Sequence, residues 1–149
     1  MSIKLTWDDI LDQHMAGDLA ARCLGPWSAT IGGRVAPIAM SKFGDWILRR
    51  EDGSTYELSV LEGTFEKIAD SPEEFRRQVN QREWQEKHLL SLIVYSLHER
   101  GIIPREGQCY AFAPHPILVG RIVPETAMIM DIVVWQHICA QVFLGQSAV

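Results

Sequence analysis

The sharpest alternation of apolar and polar positions lies in the middle of the chain. Around Asp45 to Arg50, Trp46 and Leu48 point one way and Phe43 and Ile47 the other, which predicts a strand covered on both faces. Glu51-Asp52-Gly53 is a hairpin signal, because glycine supplies the positive φ of a tight turn. Tyr56, Leu58 and Val60 then alternate with Thr55, Glu57 and Ser59, the pattern of a half-buried strand with a solvated outer face. Glu62-Gly63 reads as a second turn and Thr64 to Ala69 as a third strand. Three antiparallel strands in succession make a meander.

Helical spacing and its punctuation flank this block. Thr6 to about Met15 is predicted as a short helix, with Thr6 and Asp9 as a capping box and Gly17 as its stop. Gly25-Pro26 and Gly32-Gly33 mark a loop-rich stretch. Val35 to Met40 reads as a strand whose Pro37 belongs at an edge or a bulge. Ser71-Pro72-Glu73-Glu74 opens a helix with Phe75 and Val79 as its apolar stripe. After a break near Asn80-Gln81, a helix from Glu83 to Arg100 is expected to be largely buried, because Leu89, Leu90, Ile93, Val94 and Leu97 cover a wide arc. Gly101 is its natural stop. Gln108 to Ala113 is expected as a strand and Pro114-His115-Pro116 as a stiff connector. Ile117 to Val123 is expected as a further strand, and Ala127 to Met130 is apolar and ambiguous. Asp131 should cap a last helix running to about Phe143. The fold class is therefore α+β: an antiparallel meander packed with helices, one domain over residues 1–149.

Composition narrows the function. With 149 residues, 47% hydrophobic and 22% charged, the chain can bury a core without disulfide or metal staples. The net charge of −5 and the absence of a basic cluster argue against nucleic-acid binding. Arg76, Arg77, Arg82 and Lys87 are interleaved with Glu83 and Glu86, as on a solvated helix face. Cys23, Cys109 and Cys139 contain no C-x-x-C spacing, and the opening residues hold no apolar run of signal-peptide length. No stretch approaches the roughly 18 apolar residues of a membrane span. A cytoplasmic protein with reduced thiols and no membrane contact is expected.

Catalytic chemistry is not evident. The five histidines offer no i, i+4 pair, so no metal or other cofactor is expected. Cys109 sits in an apolar strand, where a thiol is inert despite His115 nearby in sequence. There is no nucleophile elbow or phosphate-binding glycine loop. No pair of carboxylates is set apart by an apolar environment. No catalytic residue is assigned and the chain is not expected to be an enzyme.

Charge is concentrated instead. From Glu51 to Glu74 eight acidic residues face Lys67 alone, a local charge of −7 in a chain of −5. Such a run keeps turns solvated and favours a helix start; it also suits a surface that steers and grips a basic partner. On the second reading Glu51, Asp52, Glu57, Glu62 and Glu66 are the contacts. Tyr56 or Trp46 would be an aromatic anchor, with Trp46 weighted towards the core. A separate small-ligand pocket is expected at the Pro114–Gly120 loop, rimmed by Tyr110, Phe112 and His115. An apolar face on the last helix would serve a homodimer.

Several segments resemble one bacterial family. These are Phe43-Gly-Asp-Trp-Ile-Leu-Arg-Arg-Glu-Asp-Gly53, Leu61-Glu-Gly-Thr-Phe-Glu-Lys-Ile-Ala-Asp-Ser71 followed by Glu74-Phe75, Gly107-Gln-Cys-Tyr-Ala-Phe112 with Pro114 and Pro116 to Gly120, and Val134 to Gln141. Together they are similar to the C-terminal domain of type VI secretion immunity proteins, over about residues 43–143. The resemblance implies a non-catalytic α+β domain that binds a toxin effector, such as a nuclease, in the cytoplasm and blocks it. Two positions depart from the family pattern: Arg121 follows Gly120 where a second glycine is usual, and Trp135 stands where a histidine is frequent. Where those positions line the family's pocket, Arg121 and Trp135 make this one different.

Overall fold

A computed structural model describes residues 4–145. The expected meander is the centre of a sheet of five strands, in the order β1 (Leu11–Asp12), β2 (Ala36–Ser41), β3 (Trp46–Arg49), β4 (Thr55–Ser59) and β5 (Thr64–Ala69). Neighbouring strands are antiparallel throughout. Trp46, Ile47 and Leu48 are all buried, so β3 is covered on both faces as its sequence predicts. Pro37 is tolerated in β2 because β1 pairs only with Met40 and Ser41, leaving the proline end without a neighbour on that side. The register of β2 also shifts between Pro37 and Ala39.

The first forty residues differ from expectation. The helix begun at Thr6 lasts one turn, α1 (Trp7–Ile10), before the chain becomes β1. The Asp9 carboxylate accepts from the Thr6 N–H at 2.7 Å and the Thr6 hydroxyl at 3.0 Å. Gly17 opens a helix rather than closing one: α2 (Gly17–Leu24) buries Ala20 and Cys23. A 3-10 turn at Gly25–Trp27 leads into α3 (Ser28–Ile31).

Helices cover the β4–β5 side of the sheet. α4 (Pro72–Val79) starts where predicted, with the Ser71 hydroxyl accepting from the Glu74 N–H at 3.1 Å. The single helix expected from Glu83 to Arg100 is two, α5 (Arg82–His88) and α6 (Ser91–Glu99). The break is Leu90, at φ 51°, a left-handed conformation that a branched side chain rarely occupies. This turn lets Leu89, Val94 and Leu97 all bury while the chain changes direction. Gly101 ends α6 as expected, at φ 75°.

β6 (Gln108–Phe112) pairs antiparallel with β7 (Ala127–Asp131) in a second, two-stranded sheet. Between them, Ile117 to Val123 is not a strand: Pro116 opens a one-turn helix, α7 (Pro116–Val119), closed by Gly120 at φ 83°. Asp131 caps α8 (Ile132–Leu144) by accepting from the Val134 N–H at 3.1 Å.

One continuous core joins both sheets and α8. Phe43 stacks on Phe112 at 5.6 Å and meets Tyr110 at 5.2 Å, and the Tyr110 N–H donates to the Lys42 carbonyl at 2.7 Å. Gln136, buried on α8, ties the helix to the β2–β3 turn. Its amide donates to the Gly44 carbonyl at 2.8 Å, and its oxygen accepts from the Trp46 indole at 3.2 Å. The approach requires glycine at 44, where φ is 99° and a Cβ would stand 2.8 Å from the Gln136 amide. The α+β class is therefore as expected.

Candidate functional site

The face of β4 bearing Thr55, Glu57 and Ser59 is not solvated. Thr55 and Ser59 are buried, and α5, the Leu89–Leu90 break and the α7 segment stand over this face. Between them and the strands lies a cleft of about 480 Å³, within the range of ligand-binding clefts. The strands and their connections contribute Asp45, Glu57, Ser59, Leu61, Glu62 and Glu66. The facing wall carries Lys87, His88, Leu90, Pro116, Ile117, Gly120, Arg121 and Ile122.

Glu57 and His88 form the most defined pair in the cleft. His88 Nδ1 lies 3.1 and 3.2 Å from the two Glu57 oxygens, and both side chains are only 15% exposed. Trp84 lies against the imidazole, tilted by 31° with ring centroids 4.6 Å apart. This arrangement orients the ring with Nε2 unpartnered among the described residues. The Leu90 break gives α5 and α6 separate directions, which a continuous helix would not.

Asp45 is 8% exposed. Its Oδ1 accepts from the amides of Val60 (2.8 Å) and Leu61 (3.3 Å), which fixes the β4–β5 connection. Burial, then the charge of Glu57, push its pKa from 3.8 up to about 8, against the opposing pull of the two amides and the Ser59 hydroxyl. Burial thus sets one carboxyl apart, where the sequence marked out no pair. Its sign in the sequence was Asp45 beside Phe43, Trp46 and Ile47, a charged residue in an otherwise apolar run.

The acidic run is not one surface. Glu57, Glu62 and Glu66 meet at the cleft, with Glu57 directly opposite Glu66 across β4 and β5. Glu51 and Asp52 sit at the β3–β4 turn, roughly 15 Å back along the strand from Glu57. There Asp52 accepts from the Ser54 N–H at 2.9 Å and its hydroxyl at 2.5 Å, which holds its carboxyl below the usual range. Asp70 pairs with Lys67 at 2.6 Å, and Glu73 lies 3.9 Å from Arg76. Tyr56 is half-buried on the opposite face of β4, stacked on Phe65 at 4.9 Å beneath the Arg50 guanidinium. Trp46 is in the core.

The aromatic residues named for a second pocket serve the core instead. The Tyr110 hydroxyl donates to the Ile102 carbonyl at 2.6 Å, and the Trp135 indole donates to the Phe43 carbonyl at 2.8 Å. Phe112 is buried against Phe43. His115 is buried between Trp135 and Phe143. Its Nδ1 accepts from the Ile117 N–H at 3.2 Å, so Nε2 is the protonated nitrogen and donates to the Val60 carbonyl at 3.0 Å. Burial holds its pKa below the usual value. Of that group only Arg121 reaches the cleft. Cys109 is buried in β6, where desolvation pushes its thiol up to about 12. Among the described residues no group of three or more His, Cys, Asp or Glu is placed to hold a metal, and no helix is long and apolar enough to cross a membrane.

No family model matches the chain, and no curated protein does. Among solved structures, Atu4351 from Agrobacterium tumefaciens is similar at a TM-score of 0.53 and 18% identity. The alignment covers 85% of this chain but 65% of that one, so this chain spans less than two thirds of its neighbour's length. At that identity the likeness is one of fold.

Proposed function

We propose that this chain is a non-catalytic cytoplasmic binding protein, an immunity protein that occupies and neutralises a cognate toxin through the β4–β5 cleft. The observation that carries the reading is the convergence of Glu57, Glu62 and Glu66 on one concave site. Among the described residues Glu62 and Glu66 make no ion pair there, although Lys87 and Arg121 line the same cleft. Like charges placed opposite each other on neighbouring strands cost stability. His88 hydrogen-bonds Glu57 alone, and a basic partner would relieve the rest. Nucleases that grip phosphate are typically basic, so an inhibitor with carboxylates in a recess competes for the same groups. The motif resemblance supports the same reading.

The test is co-expression with the product of the adjacent open reading frame, scored by survival and co-purification. Protection and a complex that weakens with salt are expected. Glu62→Lys with Glu66→Lys should lower affinity at least about tenfold. Lack of protection and of any complex would defeat the proposal. A second reading, a small-molecule or regulatory module, draws on the cleft's volume and its α7 wall. A metabolite screen by thermal shift separates the two.

A further inference from the structure

The cleft has an apolar lip. Ile117, Leu118 and Val119 are consecutive on α7, and all three are exposed, Leu118 most at 70%. The segment that carries them is fixed. Pro116 is buried beneath it, His115 caps it, and Gly120 closes it. A run of three exposed apolar residues on an ordered turn is unusual unless something covers it. Ile117 faces the cleft itself, so the lip and the glutamates form one continuous surface.

The floor is polar. The Asp45 carboxyl, more than nine-tenths buried, lines the cleft. His88 Nε2 makes no hydrogen bond to a described residue, while Nδ1 is held by Glu57. Lys87 and Arg121 at the rim offset part of the negative charge, so the cleft suits one cationic side chain rather than a polybasic run.

We infer that the cleft and the α7 lip bind a polypeptide segment that inserts a single arginine or lysine among Glu57, Glu62 and Glu66 and lays an adjacent aliphatic side chain on Ile117 and Leu118. The proposal rests on the binding-protein reading only in taking the occupant to be a polypeptide. Charge complementarity places the cation, and the uncovered lip places its aliphatic neighbour. An arginine fits best, because its planar fork can engage two carboxylates at once.

The test uses the intact chain and three blocked tetrapeptides, Gly-Arg-Leu-Gly, Gly-Gln-Leu-Gly and Gly-Arg-Gly-Gly, titrated to about 10 mM. Binding is read from NMR shifts of the His88 ring and the Leu118 methyls. The Arg-Leu peptide should shift both. Loss of its charge or of its leucine should each weaken binding about fivefold or more. Glu66→Gln and Leu118→Ser, both at accessible positions, should weaken it similarly. Equal binding of the Arg and Gln peptides, shifts mapping elsewhere, or no binding at all overturns the inference. The two proposals fail separately. A chain that binds the peptide but protects against no toxin loses the immunity reading alone. Undiminished protection by the Glu66→Gln, Leu118→Ser double variant would remove the lip and keep the immunity reading.

Discussion

Asp45 ties the cleft to solution conditions. In the unfolded chain it ionises near 3.8, and in the fold near 8. Between those values the folded state holds a proton that the unfolded state has released, so stability falls as pH rises from about 4 to about 8. Asp45→Asn keeps an oxygen for the Val60 and Leu61 amides but cannot ionise. Urea unfolding at pH 5 and pH 9 should find the variant more stable than the parent at pH 9, by about 1–3 kcal/mol, with most of that advantage lost at pH 5. A second residue-scale outcome concerns Gln136. Gln136→Leu strands the Trp46 indole N–H and the Gly44 carbonyl inside the core, and should cost about 2–4 kcal/mol by chemical denaturation. Neither role was legible beforehand. Asp45 is one charge in an apolar run, and Gln136 is one polar residue of a largely apolar helix. The partners of both are distant in sequence, where local spacing carries no information.

Among the elements, the legible ones had local causes. β3, β4 and β5 follow from alternation bounded by glycine turns, and α4 and α8 from Ser71 and Asp131 at their caps. The misread ones were decided by tertiary contact. The α5–α6 break needs Leu90 in a conformation its side chain disfavours, and only the burial of Leu89 and the reach of His88 to Glu57 make sense of it. The polar face of β4 reads as wet because its residues are polar, yet the helices cover it. Glu57, expected as an exposed contact, is therefore mostly enclosed. The β4–β5 turn offers a test at this scale. Gly63 has φ 74°, and a Cβ there would collide with the Phe143 ring of α8. Gly63→Ala should cost about 2–4 kcal/mol, and Phe143→Ala in the same background should recover part of that loss. A fully additive double variant would mean that the turn does not rest on the helix.

At the scale of the molecule, one core spans both sheets. Phe43 links β6 to the β2–β3 turn, and α8 touches both through Trp135 and Gln136. Unfolding should therefore be a single transition, with tryptophan fluorescence and far-ultraviolet circular dichroism giving the same urea midpoint. Separate midpoints would mean that the β6–β7 sheet melts on its own. The fold class was readable because it follows from the meander and its helices. The cleft was not, because its walls are joined only by the way α5, α7 and β4–β5 converge.

The three thiols make the interior observable from outside. Cys23, Cys109 and Cys139 come from α2, β6 and α8, yet all are buried, and burial pushes Cys23 up to about 11 and Cys109 to about 12. An alkylating reagent in neutral buffer meets no thiolate until the structure opens. Mass-resolved labelling would then time the opening of three remote regions without any engineered probe. Equal rates would mark them as one cooperative unit, and early modification of Cys23 would identify α2 as the part that lets go first.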